Sequence, residues 1–135
     1  MARFSQRVQE LNLPLDEVVV IGSGLLDALG FRVASDVDVA VSDHAYAVAK
    51  ASGRYNERTP YPEETVLEAD GVEIWRGWTT ALPYEVLRQQ AMVIDGICYI
   101  HPRLLLQQKQ RSNRPKDQAD IAFLKDYLRQ HDLSS

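Results

Sequence analysis

Val20-Ile21-Gly22-Ser23, a gap of twelve residues, and then Asp36-Val37-Asp38-Val39-Ala40-Val41 form the stretch on which the architecture turns. Residues 17–21 are a nearly unbroken β-branched run, the pattern of a strand buried on both faces. Gly22-Ser23-Gly24 reads as a turn, and Leu25 to Leu29 as a short helix that stops at Gly30. Residues 36–41 alternate acidic and apolar before turning wholly apolar. As a strand with period two, they set Asp36 and Asp38 on one face and Val37 and Val39 on the other. The unit is strand, small-residue turn, helix, strand, with two carboxylates about 6.5–7 Å apart on the second strand.

Outward from that centre, Phe4, Val8 and Leu11 recur at helical spacing, so residues 2–12 predict an amphipathic helix ended by Pro14. An alanine-rich helix is expected over 43–50, capped by Ser42 or Asp43. Residues 53–64 are polar and contain Pro60 and Pro62, which predicts a loop. Two hairpins follow. Asp70-Gly71 joins apolar runs at 65–69 and 72–78, and Asp95-Gly96 joins runs at 91–94 and 97–100. A short helix near 83–89 begins at Pro83, and two more over 103–111 and 117–130 are broken by Ser112-Asn113-Arg114-Pro115. The expected fold is α/β (α+β), a mixed twisted sheet flanked by helices with a C-terminal helical pair. It is expected as one minimal domain over 1–135, with its core at about 15–100 and the helical pair at about 102–131.

Composition bounds the function. The chain has 135 residues, 45% hydrophobic and 25% charged, the profile of a globular protein rather than a disordered one. Fifteen basic and nineteen acidic residues leave a formal charge of −4, so no overall basic field favours nucleic acid. The single cysteine, Cys98, excludes an internal disulfide framework and a thiolate-rich zinc site, and it reads as a small buried hydrophobe. His44, His101 and His131 lack ligand spacing. The short apolar runs and the N-terminal composition argue against a membrane span or a secretory leader, so a cytoplasmic protein is expected.

The central stretch also carries a chemistry. Gly22 lets the backbone approach a ligand, and Ser23 places a hydroxyl where a helix begins, a favourable setting for phosphate. Paired carboxylates suit Mg²⁺ or Mn²⁺, hard cations bound through oxygen. Nucleotidyl transfer uses this pairing: cations offset the developing phosphate charge while the turn holds the triphosphate.

Apolar-Gly-Ser followed at this spacing by Asp-apolar-Asp-apolar resembles the signature of the DNA polymerase beta-like nucleotidyltransferase superfamily. Arg32 ahead of the aspartates is similar to the arrangement in small bacterial members. Leu104-Leu105-Leu106 with Lys109, then Arg114-Pro115-Lys116-Asp117 with Asp120-Ile121, resembles the minimal, abortive-infection toxin-like branch. The match is specific at about 20–44 and 100–124, and elsewhere it is one of layout.

The resemblance implies a nucleotidyltransferase fold that moves an NMP from an NTP to an acceptor hydroxyl on RNA, protein or a small molecule. It implies Asp36 and Asp38 as catalytic metal ligands with a third carboxylate on a later strand. Glu73, flanked by Val72 and Ile74, is the candidate, although Asp is commoner there, and Glu68 is the alternative. Gly22, Ser23, Arg32, Lys109 and Lys116 are the expected nucleotide-binding residues. Arg32 either contacts phosphate or pairs with an aspartate, and Asp117 and Asp120 either serve the site or cap the last helix.

Charge is uneven in a way the net value hides. Residues 101–116 hold five bases and no acid, whereas 57–73 hold six acids against the single base Arg58. Trp75 and Trp78 fall on opposite strand faces, one for the core and the other for a base or an interface. Two further expectations belong to the resemblance: a toxin paired with an antitoxin, and, in a different class, a catalytically inactive relative that binds a nucleotide or a partner protein. A homodimer through the hairpins or Trp78 is compatible with either.

Overall fold

The structure, a computed structural model, describes residues 3–62, 64–77 and 82–131. It comprises two compact units, residues 1–100 and 101–135.

In the first unit the chain enters through helix α1 (Arg3–Gln9) and a 3-10 turn at Leu15–Glu17, and then forms strand β1 (Val18–Ile21). All four residues of β1 are buried, as an all-β-branched run requires. Each contributes roughly 1.5–3 kcal/mol of apolar burial. Helix α2 (Gly24–Ala28) follows, then β2 (Val37–Val41) and α3 (Asp43–Ala51). Gly24 is required by close approach, since a Cβ there would collide with the Phe4 ring and Val20. Ser42 caps α3 by accepting the Ala45 N–H at 3.0 Å, and its own hydroxyl donates to Glu17. Next come β3 (Asn56–Tyr61), β4 (Glu64–Ala69), β5 (Val72–Trp75), α4 (Tyr84–Gln89), β6 (Met92–Ile94) and β7 (Ile97–Tyr99).

The seven strands form one mixed sheet in the order β3-β4-β5-β2-β1-β7-β6. Strand β1 runs antiparallel to β2 and parallel to β7, and β2 runs parallel to β5. Val18, Val20, Val39 and Ile74 are core residues exposed by 1% or less. Phe4 of α1 reaches the Tyr99 ring across 6.3 Å. Tyr84 and Arg88 of α4 both donate to the Asp16 carbonyl, which anchors α4 ahead of β1. The mixed sheet flanked by helices expected from the sequence is the architecture observed.

Both Asp-Gly hairpins form. Asp95 and Gly96 take positive φ of 53° and 76°, while in the other turn Gly71 does so at 71°. One expectation is corrected: residues 56–61 are a strand, not part of a loop. They pair antiparallel with β4 through Asn56, Glu57 and Arg58, with an irregularity before Tyr61. Pro60 is compatible because β3 is the outermost strand, with a neighbour on one side only. The first hairpin's second strand ends at Trp75, and Trp78 lies outside the described residues.

The second unit is a helical pair, α5 (Pro102–Ser112) and α6 (Gln118–His131), joined by a 3-10 turn at Pro115–Asp117. The His101 ring accepts the Arg103 N–H, Pro102 opens α5, and Asn113 in the left-handed region at φ 49° ends it. Among the described residues no helix is long and apolar enough to cross a membrane.

Candidate functional site

The register of three strands builds an acidic row. Asp38 on β2 lies opposite Glu73 on β5, and Glu73 lies opposite Glu68 on β4. Register partners share a face, so three carboxylates stand side by side, one strand spacing of about 4.8 Å apart at their backbones. Asp36 is on the same side, one residue before β2 begins. The Gly71 carbonyl accepts the Val37 N–H at 2.7 Å, tying the hairpin tip to the start of β2. An open cleft of about 460 Å³ is lined by Asp36, Asp38, Asn56, Glu68, Asp70 and Glu73.

The glycine turn closes the end of this row. Ile21, the last residue of β1, is the register partner of Asp38, so the turn that follows rises beside the aspartate. Gly22 has φ +68°, and a Cβ there would stand 3.2 Å from Asp38 Oδ2. Both the left-handed backbone and the close carboxylate favour glycine at this position. Ser23 is the N-cap of α2, but its side chain makes no capping bond. Its Oγ instead accepts from Arg32 Nη2 at 2.9 Å. Arg32, expected either to contact phosphate or to pair with an aspartate, stands against the serine of the turn.

Charge in the cleft is unevenly compensated. The Asp38 carboxyl is pushed up to about 6, first by burial and then by the neighbouring charges of Glu73 and Asp36. Glu73 is better provided for: Arg58 Nη2 donates to its Oε2 at 3.1 Å, and the Trp75 indole N–H donates to its Oε1 at 3.2 Å. Arg58 Nε also donates to Glu68 at 2.6 Å. The sequence offered one signal for this role, since Arg58 is the lone base in an acidic run; the strand that aims it was not foreseen. Trp75, expected either in the core or against a base or an interface, is half-buried and donates its indole N–H to Glu73.

Of the expected site residues, Gly22, Ser23, Arg32, Asp36, Asp38 and Glu73 lie in the first unit, and Lys109 and Lys116 belong to the second. Lys116 is exposed in the 3-10 turn. Lys109 is buried, with its ammonium 3.1 Å from Asp120 and 3.5 Å from Asp117. Arg114 also grips Asp117, through Nε at 2.9 Å and Nη2 at 3.3 Å. The segment from Lys109 to Asp120 thus carries an ion network that ties the loop and α6 back to α5. Lys109 was expected to extend its head toward a ligand; it spends its charge inside the helical pair, because two buried carboxylates demand a counter-charge.

Among the described residues, no three His, Cys, Asp or Glu side chains are drawn together as a formed metal cluster. The donors nonetheless fit a hard divalent cation: all are carboxylate oxygens, and Asp38 sits partly desolvated among like charges. Each Glu73 oxygen already accepts one hydrogen bond and keeps a second lone pair, so a cation taking this third ligand would share it with Arg58 and Trp75.

No protein-family model and no curated protein matches the chain. A functional reading therefore rests on the geometry of this cleft.

Proposed function

We propose that the chain is a minimal nucleotidyltransferase of the DNA polymerase beta-like type, moving an NMP from an NTP to an acceptor hydroxyl. The observation that carries the reading is the lateral register of Asp38 with Glu73, with Asp36 beside them and the Gly22-Ser23 turn against Asp38. The acidic pair supplies oxygen ligands, and the turn supplies backbone N–H groups and a hydroxyl on the side where phosphate oxygens would lie.

In this reading Asp36 and Asp38 would hold Mg²⁺ or Mn²⁺, with Glu73 as the third carboxylate. Such a cation would supply positive charge against the transferring phosphate and would lower the acceptor hydroxyl's pKa. Ser23 and the backbone after Gly22 orient the triphosphate. A carboxylate of the row takes the acceptor proton. The acceptor oxygen forms its bond to the α-phosphorus as the bond to the bridging oxygen breaks and pyrophosphate leaves. RNA ends, protein hydroxyls and small molecules are the acceptor classes. A toxin role with an antitoxin partner uses the same chemistry, and growth arrest abolished by Asp36→Asn would mark it.

The test is transfer of label from α-³²P NTPs to RNA and protein with Mg²⁺ or Mn²⁺. Label that requires Asp36 and Asp38 supports the reading, and equal labelling by Asp36→Asn/Asp38→Asn refutes it. A second reading, a catalytically silent relative that binds nucleotide or a partner protein, is favoured by one observation: Arg58 and Trp75 already occupy Glu73. Thermal stabilisation by Mg-NTP without transfer would select it.

A further inference from the structure

We propose that Arg58 is a positioning residue that acts as the resident counter-cation of the acidic row. In the cation-free protein it holds Glu73 and Glu68; when a cation–triphosphate complex enters, it releases Glu73 and turns to the phosphates. The inference rests on the nucleotidyltransferase reading and concerns the same cleft.

The placement follows from the sheet. Arg58 pairs with Val66 on β4, and Val66 shares a face with Glu68 two residues on. Glu68 pairs with Glu73, and Glu73 with Asp38, so all four charged side chains stand on one face across four adjacent strands. The guanidinium reaches across β4, with Nε on Glu68 Oε1 at 2.6 Å and Nη2 on Glu73 Oε2 at 3.1 Å. With the Trp75 indole on Oε1, each Glu73 oxygen carries one hydrogen bond, and the guanidinium charge stands on the carboxylate a cation would share. A divalent cation that takes Glu73 as a ligand therefore meets the repulsion of the Arg58 guanidinium and competes with it for the carboxylate's charge.

The competition is weak enough to lose. The Arg58 and Glu73 side chains are 42% and 37% exposed, and ion pairs at such exposure are readily exchanged. Arg58 also stands on an edge strand that has a single neighbour. Once displaced, it remains beside the cleft, where its planar fork suits two oxygens of a phosphate as well as two carboxylates. The row thus keeps a positive charge in both states, and nucleotide and cation bind better together than separately. Cation alone displaces Arg58 without offering it new oxygens, whereas a cation–triphosphate complex offers them.

The experiment is Mn²⁺ titration by electron paramagnetic resonance on wild type, Arg58→Gln, Arg58→Lys and Arg58→Gln/Glu73→Gln. Each is measured alone and with α,β-methylene ATP, which cannot transfer its nucleotidyl group. Without nucleotide, Arg58→Gln should bind Mn²⁺ more tightly, on the order of 3–10-fold, since a competing charge a few ångströms away is gone. With the analogue it should bind more weakly than wild type, Arg58→Lys should lie between them, and removing Glu73 as well should erase the gain. Unchanged or weaker Mn²⁺ binding by both Arg58 variants overturns the proposal while leaving cation binding by Asp36 and Asp38 intact. If wild type binds no Mn²⁺, or Asp38→Asn leaves binding unaltered, the nucleotidyltransferase reading fails and the proposal with it.

Discussion

Replacing Asp38 with Asn should stabilise the cation-free protein and at the same time abolish its cation binding. In the folded chain this carboxyl titrates near 6 rather than 3.8, because it is partly buried beside Glu73 and Asp36. The sign follows from proton counting. Between about pH 4 and pH 6 the unfolded chain has released the proton and the folded chain still holds it, so stability falls as pH rises through that window. Below it, Asp38 is neutral in both states and costs nothing on this account. Above it the cost is complete, about 3 kcal/mol at 1.36 kcal/mol per pKa unit. Water at this half-buried position lowers the expected gain in Asp38→Asn to roughly 1–3 kcal/mol at pH 7.5. Urea unfolding in EDTA, followed by tryptophan fluorescence, should show a higher midpoint at unchanged m-value at pH 7.5 and convergence with wild type at pH 3.5. Added Mn²⁺ should stabilise wild type and leave the variant unmoved. Parallel pH curves for the two proteins, or a variant less stable at pH 7.5, would refute the electrostatic account of the cleft.

Lys109→Met removes the ammonium between two buried carboxylates and should cost about 3–5 kcal/mol, read as helix loss at 222 nm; a loss below about 1 kcal/mol would contradict the network. Burial pushes the Asp117 carboxyl up, but its bonds to Arg114 and the charges of Lys109 and Arg114 outweigh this and hold it below the ordinary range. Its stabilisation is therefore present above about pH 4 and lost as the pH falls further, so Asp117→Asn should lose stability at pH 6 and approach wild type near pH 2. Gly22→Ala puts a side chain at φ +68° and against Asp38, and should cost about 1 kcal/mol or more and weaken Mn²⁺ binding. Wild-type binding by that variant would detach the turn from the site.

The strands 18–21 and 37–41 and both hairpins were readable in advance, because β-branched runs, period-two alternation and Asp-Gly turns are local signals. Residues 56–61 were not. Their polarity and Pro60 speak for a loop, and only pairing with β4 from one side makes them a strand. Glu73 was a candidate from its alternation with Val72 and Ile74, with Glu68 as the alternative. The register shows that both belong to one row, with Glu73 next to Asp38. Arg58 was visible only as an isolated positive charge. Lys109 was legible as a basic residue on a helical face but not as an internal counter-ion, since its partners arrive from the 3-10 turn and the next helix.

The sequence by itself determined the strand, turn, helix and strand that carry Gly22, Ser23, Asp36 and Asp38, with both aspartates on one face, because backbone preference and side-chain period act over a few residues. Only the tertiary structure decided that β5 lies parallel beside β2 in a register that sets Glu73 against Asp38, and that an edge strand swings Arg58 across them. Pairing between distant strands depends on which faces the whole core can bury, a property that no short stretch of the chain contains.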